Sequence, residues 1–140
     1  MKKILFLIIG SLILGSCGNS TNQNESTNEV AQAEVQDSSL VYIYYFHGEK
    51  RCKTCNAIEE VVSNFYAEKY SQNEKVLLKV FTIGHEQSKA LEEKFEVSWS
   101  SLVISKGDSF TNITEEAFAN AVNNPDTLTT LIESEISKRL

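Results

Sequence analysis

One local arrangement constrains this chain more than any other. Seven apolar or aromatic residues, Leu40-Val41-Tyr42-Ile43-Tyr44-Tyr45-Phe46, run unbroken to His47-Gly48, and Cys52-Lys53-Thr54-Cys55 follows within a few positions. A run this rich in β-branched and aromatic side chains, closed by glycine, reads as a strand. From Lys53 to Tyr70 the period changes: Ile58, Val61, Val62, Phe65, Tyr66 and Tyr70 fall at helical spacing, with Glu59, Glu60, Asn64 and Glu68 opposite. The two cysteines therefore stand at the start of an amphipathic helix. Unpaired amide N–H groups and the positive end of the macrodipole favour a thiolate there over a thiol. The thiolate is the reactive species in disulfide exchange.

The rest of the chain extends this unit. Lys75 to Ile83 reads as a second strand ended by Gly84, and Glu86 to Phe95 suits a helix with Ala90, Leu91 and Phe95 apolar. Strand, helix and strand in this order imply a right-handed parallel crossover. Ser101 to Ser105 and Ser109 to Ile113 flank the short turn Lys106-Gly107-Asp108. That is a hairpin signal, so this pair should be antiparallel. The remainder is helical, interrupted at Asn123-Asn124-Pro125, where Pro125 suits the first turn of a new helix through Leu128, Leu131, Ile132 and Ile136. The order is βαβα followed by ββα. Leu40 to Leu140, about 100 residues, is enough for one compact domain and not for two.

This order, with a dithiol opening the first helix, resembles the thioredoxin fold in its minimal form across residues 40–140. The resemblance implies an α/β domain with a four-stranded mixed sheet in the order 2-1-3-4, flanked by helices. The first strand is then central and the second an edge, where Lys75 and Lys79 discourage pairing with another chain. It also implies that Cys52 attacks, that a partly shielded Cys55 resolves, that no cofactor is needed, and that the partners are protein thiols or disulfides. Lys50, Arg51 and Lys53 make a local positive cluster in an otherwise acidic chain, and neighbouring cations lower a thiol pKa. A solvated turn is the plainer reading of Lys50 and Lys53. His47, ending the first strand, is a candidate proton carrier or simply marks the strand end.

Three departures from the thioredoxin pattern stand out. Pro125 is the sole proline, so the cis-proline that thioredoxins place before the third strand is missing. Trp99-Ser100-Ser101-Leu102 occupies the matching place, with Ser100 or Ser101 in the proline's stead and Trp99 as a candidate apolar platform beside the sulfurs. Thioredoxins also bury a carboxylate beneath the resolving cysteine, whereas Leu40 to Phe46 offers only apolar residues and tyrosines. Water, His47 or a tyrosine hydroxyl is left to handle protons. The spacer is Lys53-Thr54 in place of Gly-Pro, so a reduction potential does not carry over.

Other readings of the cysteine pair stay open at this point. A static disulfide, as in an adhesion or scaffold domain, is compatible with an oxidising compartment, although so short a loop adds little stability. A copper- or zinc-binding module would use the cysteines with His47, and His85 is the remaining histidine. Metal sites usually draw on two cysteine pairs or closely spaced histidines, and these two histidines fall in different loops.

The amino-terminal residues bear on location. Met1-Lys2-Lys3, an apolar stretch from Ile4 to Leu14, and Leu14-Gly15-Ser16-Cys17 resemble a bacterial lipoprotein signal with its lipobox. The resemblance implies removal of residues 1–16, acylation of Cys17 as the lipid anchor, and a cell-envelope protein facing the periplasm or the exterior. Residues 17–39 are rich in Asn, Ser, Thr, Gln and Glu and read as a disordered tether with a span of roughly 25 Å. Losing Lys2 and Lys3 makes the formal charge of −6 more negative still. So acidic a chain disfavours nucleic acid, and its hold on a membrane would come from acyl chains.

Overall fold

The computed structural model describes residues 36–140. The expected leader, the Cys17 anchor and most of the tether lie outside the described residues. Eight elements follow one another: β1 (Val41–His47), α1 (Lys53–Lys69), β2 (Val76–Thr82), α2 (Lys89–Lys94), β3 (Ser101–Lys106), β4 (Ser109–Asn112), α3 (Thr114–Asn120) and α4 (Pro125–Ser137). β1 pairs in parallel with β2 and antiparallel with β3, and β3 pairs antiparallel with β4. The sheet order is β2-β1-β3-β4. This is the mixed four-stranded sheet of the thioredoxin-like fold, with β1 central and β2 at an edge.

The uninterrupted apolar character of β1 follows from its place. A central strand covered on both faces has no solvent side on which to alternate polar residues. Its pleat sends Val41, Ile43 and Tyr45 into a core shared with Ile58, Val62 and Phe65 of α1 and Leu128, Ile132 and Ile136 of α4. Tyr42, Tyr44 and Phe46 point the other way, into a smaller cluster with Phe95, Val97 and Val103. That second face is largely aromatic: Tyr42 and Tyr44 stack with centroids 5.3 Å apart, and Tyr44 meets Phe95 at 5.4 Å.

The second helix is shorter than its sequence suggests. Only Lys89–Lys94 is helical, not the whole of Glu86 to Phe95. The buried Ser88 donates its hydroxyl to the carbonyls of Thr82 and His85, both at 2.9 Å. These bonds fold residues 85–88 into a turn that the helix cannot absorb. The final helical stretch breaks where expected, with Pro125 opening α4. In the hairpin, Gly107 lies at φ +57°, the conformation that a primed two-residue turn demands of its first residue.

Residues 36–39 correct the tether's boundary. They are folded onto the start of β1 and the β3–β4 turn instead of lying free. The Asp37 backbone N–H donates to the Tyr42 hydroxyl at 3.2 Å, and the Gln36 side-chain amide reaches the Tyr44 hydroxyl. Lys94 Nζ donates to Gln36 Oε1 and to the Gly107 carbonyl, both at 2.9 Å. Residues 36–39 are therefore packed with the domain. This attachment is at the opposite end of β1 from the cysteines.

A buried ion pair fastens the carboxy terminus. Glu135 receives hydrogen bonds from Lys138 at 2.5 Å and Arg139 at 2.8 Å, and Arg139 Nη2 also donates to Thr111 Oγ1 of β4 at 2.6 Å. The Lys138 and Arg139 bonds hold the Glu135 carboxyl down at about 2, from an ordinary 4.5. A carboxylate depressed by folding stabilises the fold above its unfolded pKa, and that contribution is lost as pH falls through the folded value. Acid unfolding is therefore expected to draw on Glu135 between about pH 4.5 and pH 2. Glu135→Gln should lose roughly 2 kcal/mol at neutral pH and flatten that part of the stability curve, read by urea unfolding across pH.

A candidate dithiol site at the end of β1

The site is assembled where β1 delivers the chain to α1. His47, the last residue of β1, leads through Gly48-Glu49-Lys50-Arg51 to Cys52, which caps the amino terminus of α1. Cys52 is extended at φ −80°, ψ 169°, and its sulfur accepts a hydrogen bond from the Cys55 backbone N–H at 3.2 Å. A sulfur here takes the role that a Ser or Asp oxygen plays in an ordinary helix cap. The spacing places Cys55 one turn on, so the two sulfurs come within 2.6 Å of each other. Cys52 is exposed and Cys55 is buried.

These contacts tilt the Cys52 thiol towards its anion. The hydrogen bond from the Cys55 side chain, then the one from the Cys55 backbone, lower its pKa from the ordinary value, with the Thr54 N–H adding to them. Every one of these is a donor supplied by the first helical turn. The expected contribution of Arg51 is not among these leading causes, and its geometry explains why. Its guanidinium is paired with Glu59 of α1 and lies against the His47 ring, with Nε donating to Nδ1 at 3.2 Å. Lys50 and Lys53 are exposed.

The other residues singled out from the sequence separate into near and far. Ser100 is near: its Oγ lies 3.8 Å from Cys55 Sγ. Ser101 is not, because its hydroxyl turns back to donate to the Trp99 carbonyl at 2.8 Å and its backbone opens β3 opposite Phe46. The choice between the two serines thus falls on Ser100. No peptide bond among the described residues is cis. Trp99 is 57% exposed, with its ring against Phe118 at 5.7 Å. Phe118 is a packing partner that steadies this indole. His47 is buried, its Nδ1 3.0 Å from the Gly48 carbonyl, with Arg51 across its ring. Its hydrogen-bond partners include neither sulfur.

Tyr45 is the residue beside the dithiol that the sequence left unresolved among three tyrosines. Its hydroxyl donates to the Cys55 carbonyl at 2.8 Å, directly beneath the helix turn that carries the dithiol. Burial pushes its ionisation well above the ordinary phenol range, and the neighbouring Cys55 and Glu59 act in the same direction. Tyr45 is therefore a fixed neutral donor. Its position, on the central strand and under Cys55, is the place where the thioredoxin pattern has a carboxylate.

As for a metal, no group of three or more His, Cys, Asp and Glu side chains converges among the described residues. His85 stands 4.0 Å from Glu49, both highly exposed.

No family model matches this chain, and no curated protein matches it in sequence. Among solved structures it is similar to Trxlp from Edwardsiella tarda EIB202, at 16% identity and a TM-score of 0.47, over 72% of this chain and 85% of that one.

Proposed function

We propose that the domain is a thiol–disulfide oxidoreductase or electron carrier that exchanges a Cys52–Cys55 dithiol with partner proteins. The observation that carries this reading is the asymmetry of the pair. One sulfur is exposed and held towards the thiolate by donors of the helix start, and the other is buried within reach behind it. A static bridge has no use for a primed, accessible sulfur. Exchange needs both an attacking thiolate and a shielded thiol that resolves the mixed disulfide. In the forward sense, Cys52 attacks a partner disulfide and releases one partner thiol. Cys55 then attacks Cys52, forming the intramolecular disulfide and releasing the second. The metal-binding alternative lacks a converging third ligand among the described residues. The reading further places the protein in the cell envelope, anchored through an acylated Cys17, with protein thiols or disulfides of that compartment as partners.

Alkylation of the reduced protein across pH, with each cysteine followed by mass spectrometry, tests the central point. Cys52 is expected to react with a midpoint below the ordinary thiol value of 9.0, because its folded pKa is lowered. Cys55 should lag far behind it. Equal reactivity of the two, or a Cys52 that ionises like free cysteine, overturns the proposal.

A further inference from the structure

We propose that the Ser100 hydroxyl is the proton relay of the resolving thiol, an inference that rests on the exchange reading above. Resolution requires Cys55 to lose its proton while Cys52 is tied up in a mixed disulfide. The question is which group can receive that proton. The carboxylate that thioredoxins keep beneath this cysteine is replaced by Tyr45, whose proton is committed to the Cys55 carbonyl. His47, on the same strand, has Arg51 against both of its ring nitrogens. On α1, Glu59 is paired with Arg51. The Lys50 and Lys53 side chains are exposed cations that offer no lone pair at neutral pH. Cys52 Sγ, at 2.6 Å, is consumed by the disulfide bond to the partner. Ser100 Oγ, 3.8 Å from Cys55 Sγ and on a half-exposed residue, is the polar side chain that stays available.

A hydroxyl suits the task because it accepts and donates at once. The Cys55 proton passes to Ser100 Oγ as the Ser100 proton leaves towards solvent and the departing sulfur. Cys55 Sγ then bonds to Cys52 Sγ, the bond between Cys52 and the partner sulfur breaks, and the electron pair goes to the partner's thiolate, which takes up the proton. Two thiol–disulfide partners exchange one bond, and no outside oxidant or reductant enters. A proline at this place has no donor, so the chain trades the usual clamp for a relay.

The test uses the reduced domain and an aromatic disulfide whose thiolate is coloured on release. Its first equivalent reports attack by Cys52, and its second reports resolution by Cys55. Ser100→Ala is expected to leave the first phase unchanged and slow the second roughly tenfold near neutral pH. The deficit should disappear at high pH, where the thiol ionises without help, and Ser100→Thr should restore the rate. A Ser100→Ala protein that resolves at the wild-type rate at every pH, or is slowed equally at every pH, overturns the relay and leaves the exchange reading intact. A wild-type protein that releases no second equivalent overturns the exchange reading and the relay with it.

Discussion

A Cys55→Ser protein is expected to hold its partner as a stable mixed disulfide on Cys52, whereas Cys52→Ser forms none. The asymmetry follows from geometry. Cys52 is exposed at the helix cap, and its sulfur keeps the Cys55 backbone N–H after Cys55 loses its thiol. Attack survives and resolution does not. In Cys52→Ser the remaining sulfur is 6% exposed and lies behind the first turn, so a protein disulfide cannot reach it in line. Exchange should fall by at least roughly a hundredfold, since the thiolate that attacks is gone. Non-reducing electrophoresis of each variant incubated with an oxidised model protein reads the result. Equal trapping by both variants would reverse the assigned roles.

The second large effect is structural. Ile43→Ala should cost about 3 kcal/mol, because Ile43 is fully buried at the middle of the central strand and its loss opens a cavity between β1 and the helices packed on it. Neither neighbouring strand can move to fill the gap, since both are hydrogen-bonded to β1 along its length. For a domain of this size that loss lowers the melting temperature by roughly 15 °C, measurable by circular dichroism. A drop of only a degree or two would mean that the two layers are not packed as described.

How much of this was legible in the sequence depended on how local the signal was. The strand, the cysteine spacing and the amphipathic α1 are contiguous, so pattern and chemistry agree within some thirty positions. The sheet order needed the resemblance, because which strands pair is a non-local fact. Tyr45 could not be told from Tyr42 and Tyr44: a strand apolar throughout carries no alternation to say which ring faces α1. Ser100 lies just before β3 and Ser101 is its first residue, so which hydroxyl meets Cys55 depends on where the strand begins. The start of β3 decided between them. The cationic cluster could not be placed from the sequence, because charge near a thiol along the chain says nothing of where a guanidinium turns, and Arg51 turns to Glu59. Residues 36–39 looked like tether because they are polar, yet they are held by hydrogen bonds to two tyrosine hydroxyls and Lys94 that composition does not reveal.

The clasp that Lys94 makes on Gln36 and Gly107 sets a heading for the whole molecule. β1 spans about 20 Å between that clasp and the cysteines, so residues 36–39 and the sulfurs occupy opposite poles. A molecule that meets the exposed Cys52 therefore comes from the side away from residues 36–39.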